Sequence, residues 1–278
     1  MKTAHTTLLR WIAIILVSIC ALVGIFFISA HLLIRYGFTN TAGIIDTQSE
    51  TYTEHTPEIW QTTEQWATIQ EAITKDIPTL LRAGKDTGIE PRMIASLIMV
   101  EQMRLFFDNR ELFEQVFAPL KILGNQSQFS WGVLGLKQDT AKEIESNLQD
   151  TSSPFYIGPD YVHMLDFETD DIPAERFARI TKEHDRYYAY LYAGLYIRQI
   201  LHQWEKAGYL IDTQPGIIAT LYNIGFSHSV PKANPQNGGS TLTIDGTEYS
   251  FGRLAESFYF SDELTELLPR RLPITTSK

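Results

Sequence analysis

The feature that most constrains this sequence is an uncharged apolar run near its N-terminus. From Trp11 to Ile34 the chain has 24 residues without Asp, Glu, Lys or Arg. About 20 such residues in a helix are enough to cross the hydrocarbon core of a bilayer. The run therefore predicts a single transmembrane anchor over residues 11–34, preceded by a short tail over residues 1–10.

The charges beside this run set its expected orientation. Lys2 and Arg10 lie on the short N-terminal side, and Lys and Arg are enriched on the cytoplasmic side of membrane spans. We therefore expect a single-pass protein of the inner (cytoplasmic) membrane, with the tail in the cytoplasm and the rest of the chain in the periplasm or outside the cell. The alternative is a signal peptide cleaved after Ala30, although the apolar region of such a peptide is normally only about 7–15 residues long.

Charge and cysteine content exclude several classes of protein. After residue 35 the chain has 20 Lys and Arg against 33 Asp and Glu, a formal net charge of −13. This balance argues against binding nucleic acid through a broad basic surface. The one cysteine, Cys20, lies in the apolar run, so no disulfide or thiolate chemistry is expected beyond it. His184, His202 and His228 lack the paired spacing of a zinc-protease helix, and we predict neither a metal nor a cofactor.

The residues beyond the anchor predict a linker and one mainly α-helical domain. Residues 35–57 are polar with little apolar periodicity, which is typical of a tether. Residues 58–278 alternate helical patterns with loops and can bury one substantial core. Helices are predicted from Ile59 to about Ala83, from Pro91 to Phe107, from Arg176 to Tyr209, and from Pro215 onward. The alternation from Thr241 to Tyr249 around Asp245-Gly246 predicts a small β-hairpin.

One carboxyl group interrupts the apolar stripe of the second predicted helix. Glu101 shares a helix face with Ile94, Leu97, Ile98 and Leu105. A helix that buries this face also buries the carboxyl group, and burial without a charged partner raises the pKa of a carboxyl group. Such a group can stay protonated and donate its proton. The alternative is an ion pair with an Arg or Lys from another element.

Three segments follow one another between residues 92 and 225. The first runs from Ile94 to Glu101, the second is the Ser- and Gly-rich stretch from Phe129 to Ala141, and the third runs from Ala219 to Gly225. In this order they resemble the lysozyme-like domain of the soluble lytic transglycosylase family, over about residues 92–225. The first segment corresponds to the helix that carries the family's catalytic Glu, with Gln102 where the family usually has Ser, and the third is similar to the family's Tyr-Asn-Ala-Gly motif.

The second segment can be aligned with the family in two registers. Matching the paired glycines Gly132 and Gly135 brings Gln138 to the position of the family's Gln. Matching Thr140-Ala141 brings Gly135 to that position and needs no gap. We prefer the ungapped register, in which this chain has lost that Gln.

The resemblance implies a lysozyme-like fold and cleavage of peptidoglycan. Glu101 would protonate the β-1,4 link between N-acetylmuramic acid and N-acetylglucosamine, and would then take the C6 hydroxyl proton as a 1,6-anhydro ring closes. Ser130 and Gly132 would line the sugar site, Tyr222 would position Glu101, and Asn223 would support the end of its helix. The implied partners are peptidoglycan strands, the membrane through the N-terminal helix, and proteins of an envelope machine.

Two alternative functions stay open. A hydrolytic muramidase needs a second carboxylate, and Asp108, Glu111 and Glu114 are the candidates, although solvated surface acids are the simpler interpretation. A non-catalytic peptidoglycan-binding scaffold of the same fold is favoured by the missing Ser after Glu101 and by the displaced Gln.

Aromatic residues recur along the predicted helix from Arg176 to Tyr209. Rings of this kind can stack on sugars, but at helical spacing they more often pack in a core. We therefore assign none of them to the site. The aromatic residues are Tyr187, Tyr188, Tyr190, Tyr192, Tyr196 and Trp204.

Overall fold

The described part of the protein is mainly α-helical, as predicted. The computed structural model describes residues 57–107 and 130–270, except for the side chains of Ser130 and Trp131. The first four helices are α1 (Glu64–Lys75), α2 (Ile77–Thr87), α3 (Pro91–Phe107) and α4 (Gln138–Gln149). The others are α5 (Ile172–Thr181), α6 (Tyr187–Lys206), α7 (Pro215–Ile224) and α8 (Phe251–Phe260). Short 3₁₀ turns cover Ile59–Thr62, Pro159–Tyr161 and Phe226–His228.

Several predictions fall outside the described residues. These are the tail, the anchor and nearly all of the linker, together with the acids Asp108, Glu111 and Glu114. Among the helices that the structure describes, none has the length and apolar character needed to cross a membrane.

The pattern predicted as one helix from Ile59 to Ala83 is a 3₁₀ turn followed by two helices. The side chain of Thr63 accepts the backbone N–H of Trp66 at 3.1 Å and caps the start of α1. Helix α1 ends at Lys75 and α2 begins at Ile77 with proline in its first turn. Proline lacks the N–H that a continuous helix would need. Pro78 therefore causes the break at Asp76. The spacing of apolar residues, from which one helix was predicted, does not take proline into account.

The predicted helix from Arg176 to Tyr209 is also divided. Helix α5 begins earlier, at Ile172, and α6 begins only at Tyr187. The carboxylate of Asp185 accepts the backbone N–H of Tyr187 at 3.4 Å, and bonds of this kind compete with continuation of a helix. The predicted helix that starts at Pro215 is confirmed as α7, and it ends before Gly225, whose φ is +96°.

Helix α3 lies at the centre of the described residues. It packs against α1, α2, α6, α7 and α8, and 11 of its 17 residues are buried. A helix that is buried on nearly all sides carries apolar residues around most of its circumference. The apolar stripe of the sequence is therefore one part of a wider buried surface, and Glu101 is one of the buried residues.

Two antiparallel hairpins complete the described fold. Strands β3 (Thr241–Ile244) and β4 (Thr247–Ser250) form the predicted hairpin. Its turn residues Asp245 and Gly246 both have positive φ, +44° and +86°, as a two-residue type I′ turn requires. The sequence did not predict the other hairpin, in which β1 (Ser130–Trp131) pairs with β2 (Leu136–Lys137).

Candidate active site

A groove with a cavity volume of about 460 Å³ opens beside the C-terminal half of α3. Its walls come from α3, the turn and strand of the first hairpin, α4, α6, α7 and the loop after α7. Three of the predicted residues line it, namely Glu101, Tyr222 and Asn223. The fold thus brings residues more than 120 positions apart in the sequence to one cavity.

The carboxylate of Glu101 lies at the base of this groove. Only 4% of the residue is exposed, yet it borders the cavity. Its Oε2 is 3.4 Å from Nη2 of Arg104, one turn later on the same helix. Arg104 also donates from Nη1 to Oγ of Ser240 at 3.3 Å. Glu101 and Arg104 thus form an ion pair within α3, and both residues border the groove.

The turn of the first hairpin is built to approach this carboxylate closely. Gly132 and Gly135 have φ of +63° and +57°, a backbone region that favours glycine. A Cβ on Gly135 would lie 2.5 Å from Oε2 of Glu101, and one on Gly132 would strike the carbonyl oxygen of Ile180. Both positions therefore require glycine for conformation and for space.

Two side chains hold the turn in place. Gln102 donates from Nε2 to the carbonyl oxygen of Val133 at 2.8 Å. The hydroxyl of Tyr222 donates to the carbonyl oxygen of Leu134 at 3.0 Å. The expected role of Tyr222 is thereby refined, because its hydroxyl holds the backbone beside Glu101. Gln102, at the position where the resembled family has Ser, also supports this backbone.

The electrostatic environment keeps Tyr222 protonated. Its pKa is raised well above the usual value, first because the phenol is buried and second because the negative charge of Glu101 opposes a phenolate. The positive charge of Arg104 acts in the opposite direction. Tyr222 is therefore a neutral hydrogen-bond donor close to the carboxylate of Glu101.

Asn223 fixes one rim of the groove. Its Oδ1 accepts the backbone N–H of Ser240 at 2.8 Å, and a Cβ on Gly239 would lie 2.8 Å from the same oxygen. The expected support of the α7 end comes instead from the backbone, where Gly225 N–H donates to the carbonyl of Leu221 at 3.1 Å. Asn223 therefore connects α7 to the loop that precedes β3.

The other predicted site residues lie on the first hairpin. Ser130 pairs with Lys137 through the backbone, and its side chain is outside the described residues. Gly132 packs against Ile180, whereas Gly135 is the glycine at the groove. Gln138 begins α4.

Several polar residues of the groove were not predicted from the sequence, among them Asp139 and Glu143 on α4 and Tyr196 on α6. Burial raises the pKa of the Glu143 carboxyl group, and the nearby charge of Asp139 raises it further. The two acids are four positions apart and share a helix face, but nothing in the sequence showed which face borders a cavity.

Tyr196 combines aromatic packing with a polar group at the groove. Its ring centroid lies 5.0 Å from that of Tyr222 and 4.3 Å from that of Phe226. The predicted core packing of this helix's aromatic residues therefore holds for the Tyr196 ring. The residue is only 1% exposed and still borders the cavity.

No protein-family model, curated protein or solved structure matches this chain. Within residues 57–107 and 130–270, no three His, Cys, Asp or Glu side chains are grouped so that they could hold a metal ion. The groove itself offers a buried carboxylate beside a guanidinium. Such a carboxylate can exchange a proton with a molecule bound in the groove.

Proposed function

We propose that this protein is a membrane-anchored lytic transglycosylase that cleaves peptidoglycan through a lysozyme-like domain. The observation that carries the proposal is the position of Glu101, which is buried on the central helix and borders an open groove. The proposed reaction is that of the soluble lytic transglycosylase family, which the three sequence segments resemble. The closeness of Glu101, the glycine turn and Tyr222 in the fold supports it.

The first step is protonation of the glycosidic oxygen. Glu101 in its acid form gives its proton to the oxygen between N-acetylmuramic acid and N-acetylglucosamine, and the bond from C1 of the muramyl residue to that oxygen breaks. The acetamido oxygen of the muramyl residue stabilises the positive charge that develops at C1. The turn that Gln102 and Tyr222 hold keeps the carboxyl group in one position, as efficient proton transfer requires.

The second step closes the anhydro ring. The C6 hydroxyl oxygen of the muramyl residue bonds to C1 in place of the stabilising contact with the acetamido oxygen, and ionised Glu101 takes the hydroxyl proton. Arg104, with Nη2 3.4 Å from the carboxylate, stabilises the negative charge that Glu101 carries between the two steps. The products are an N-acetylglucosamine end and a 1,6-anhydromuramyl end, and Glu101 is again in its acid form.

Hydrolysis is the second candidate because two further carboxylates share the groove. Asp139 and Glu143 border the same cavity as Glu101, and inverting glycosidases use a second carboxylate to activate water. In that case the product would carry a reducing end. A scaffold with the same fold would bind glycan strands without releasing fragments.

Digestion of purified sacculi by the full-length protein in detergent distinguishes these functions. We expect soluble fragments with 1,6-anhydro ends, identified by mass spectrometry. Glu101→Gln should lower release by about 10²–10⁴-fold, as loss of a general acid and base does, with no change in thermal unfolding. Glu71→Gln, which changes an exposed acid on α1, is the matched control. Reducing ends would support hydrolysis, and binding without release would support a scaffold.

We also propose that residues 11–34 anchor the chain in the inner membrane and leave the catalytic domain in the periplasm. This placement would put the groove on the same side of the membrane as peptidoglycan. The domain should be digested by protease added to spheroplasts and protected in intact cells. Protection in spheroplasts would contradict this topology. An envelope machine is a further proposed partner, and crosslinking followed by purification of the anchored protein tests for it.

A further inference from the structure

A second cavity, with a volume of about 190 Å³, lies beside the C-terminal half of α6. Four residues of this helix line the cavity, at spacings that place them on one helix face. They are Arg198, Leu201, His202 and Glu205. Successive residues of an α-helix turn by about 100°, so this face lies opposite Tyr196, which borders the groove of the proposed reaction. The cavity is therefore separate from that groove.

Arg198 is a positioned cation at this cavity. Its guanidinium carbon lies 5.0 Å from the ring centroid of Tyr161. A Cβ on Gly88 would lie 2.9 Å from Nη1 of Arg198, so the absence of a side chain at Gly88 leaves room for the guanidinium. Among the described residues, Arg198 forms neither an ion pair nor a hydrogen bond. A guanidinium carries five N–H donors in a planar fork that matches a carboxylate, and here the fork is held in place without an acidic partner.

The other charges of the cavity are negative. Glu205 and Asp212 are exposed residues that line it with their carboxylates. Burial lowers the pKa of His202, and the charges of Lys206 and Arg198 lower it further, so the imidazole is neutral at pH 7. The cavity thus presents one cation and two carboxylates. A simple anion is repelled by the two acids and a simple cation by Arg198, whereas a molecule with both charges satisfies both.

Apolar side chains form the rest of the lining. They are Ile157, Leu201, Leu210 and Ile211. The cavity is smaller than the about 300–1,000 Å³ that is typical of sites for drug-sized ligands. Its occupant is therefore a small molecule with an apolar part. Within residues 57–107 and 130–270, no three His, Cys, Asp or Glu side chains are grouped to hold a metal ion, so the acids of the cavity are not explained as ligands of a metal.

We propose that this cavity binds a zwitterionic α-amino acid with a short apolar side chain. The guanidinium of Arg198 donates to its carboxylate. Glu205 and Asp212 accept hydrogen bonds from its ammonium group, and the apolar residues of the lining pack against its side chain. This site goes beyond the proposed function and does not depend on it.

Other small molecules with both charges fit the cavity less well. A betaine has a quaternary ammonium without N–H donors, so Glu205 and Asp212 would gain no hydrogen bonds. A phosphorylated amine carries more negative charge than one guanidinium balances. An α-amino acid has one carboxylate for Arg198 and three ammonium donors for the two acids, and its side chain supplies the apolar part.

Binding of leucine and three of its analogues tests the inference. The full-length protein in detergent is studied by equilibrium dialysis with labelled L-leucine and with labelled D-leucine, and we expect one enantiomer or both to bind. Unlabelled isocaproate lacks the ammonium group, isoamylamine lacks the carboxylate and glycine lacks the side chain. Each analogue should displace labelled leucine at least ~10-fold less effectively than unlabelled leucine does, the size expected for loss of a charged hydrogen bond or of apolar burial.

Variants of the charged residues test the assignment of the site. Arg198→Met and the double variant Glu205→Gln/Asp212→Asn should each weaken the binding of leucine at least ~10-fold. Arg82→Met is the matched control, because the guanidinium of Arg82 also lies over a tyrosine ring, 3.8 Å from the centroid of Tyr187, but does not line this cavity. This control should bind leucine as the wild type does. Thermal unfolding shows whether each variant is folded.

Failure of both enantiomers to bind would overturn the inference, and so would an analogue that displaces the label as well as leucine does. Unchanged binding in folded Arg198→Met would overturn it too. If Arg198→Met does not fold, the double variant decides, since both of its positions are exposed. Digestion of sacculi tests the proposed function independently. Release of anhydro fragments by a protein that does not bind leucine would leave that function standing and remove only this second site.

Discussion

The carboxylate of Glu101 lies directly against the Cα of Gly135. A methyl group at Gly135 would come within 2.5 Å of Oε2 and 2.7 Å of Cδ of Glu101, which is closer than non-bonded atoms approach. The carboxylate and the backbone of the turn therefore fit together only because Gly135 has no side chain. This contact limits how far the carboxyl group of Glu101, the proposed acid, can move toward the turn.

We expect Gly135→Ala to reduce activity strongly. The new methyl group must displace the carboxylate, and a misplacement of about 1 Å can cost on the order of 10²-fold in rate. The positive φ of Gly135 adds about 1–2 kcal/mol of strain for alanine. Release of fragments from sacculi and chemical denaturation measure the two effects.

Gly208→Ala separates the two effects of Gly135→Ala. Gly208 has a φ of +85° and open space where a Cβ would be. Alanine there should lower the free energy of unfolding by a similar amount of backbone strain and leave activity intact. Equal activity losses in the two variants would contradict the steric explanation.

Gln102 and Tyr222 should act together on the same turn. Gln102→Ala and Tyr222→Phe each remove one bond to adjacent carbonyls, and each should lower the free energy of unfolding by about 1 kcal/mol. Because both bonds hold one turn, the two effects should not add in a double-mutant cycle. Activity should fall in both single variants, since the turn lies against Glu101.

Gln149→Ala is the control for Gln102→Ala. Gln149 also donates from Nε2 to a backbone carbonyl, that of Val162, at 2.7 Å, but it does so outside the groove. The Gln149→Ala variant should therefore keep the activity of the wild type. Additive changes in the free energy of unfolding for the Gln102 and Tyr222 variants would show that the two bonds act independently.

Periodicity predicted the helix that carries Glu101 and the burial of its carboxyl group, because both depend on which residues face the core. It also predicted the hairpin at Asp245-Gly246, whose turn type follows from local backbone preferences. The breaks at Asp76 and before Tyr187 were missed. They depend on one proline and on a side-chain bond to the backbone, and apolar spacing does not record either.

The sequence predicted fewer of the residues that line the groove. Glu143 and Tyr196 belong to different helices, and only the packing of α4 and α6 brings them to one cavity. Gln102 was noted only as a departure from the resembled family, whereas its amide holds the backbone at Val133. Local patterns can predict a buried acid, but the residues that surround it depend on tertiary contacts.

Arg92 should be among the residues most important for stability. It is fully buried and donates hydrogen bonds of 2.7–3.0 Å to five backbone carbonyls at and after the end of α8. Arg92→Met removes all five of these bonds, and although the carbonyl of Phe258 keeps its bonds from Ser261, we expect the variant to lower the free energy of unfolding by at least about 3 kcal/mol. Chemical denaturation measures the change.

Arg82→Met provides the comparison for Arg92→Met. The side chain of Arg82 is 66% exposed and lies 3.9 Å from Asp86, and an exposed ion pair contributes about 0–1 kcal/mol. The variant should therefore unfold nearly as the wild type does. A small effect of Arg92→Met would show that the carbonyls find other partners.

Tyr187 should make folding stability sensitive to alkaline pH. Its hydroxyl donates to Oδ2 of Asp86 at 2.7 Å, and burial, followed by this bond, raises the pKa of Tyr187 from 10.0 to about 12. Between pH 10 and 12 the folded state keeps a proton that the unfolded state has lost. The contribution of this residue is thus fully present below pH 10 and disappears as the pH rises through 12.

Tyr187→Phe removes this contribution together with the hydrogen bond to Asp86. The variant should be less stable than the wild type at pH 8, and the difference should shrink steadily between pH 10 and 12, because the wild type loses the stability that the variant never had. Urea denaturation across this range measures the difference, with Tyr209→Phe, at a position that is 37% exposed, as the control. A difference that stays constant up to pH 12 would mean that Tyr187 ionises equally in both states.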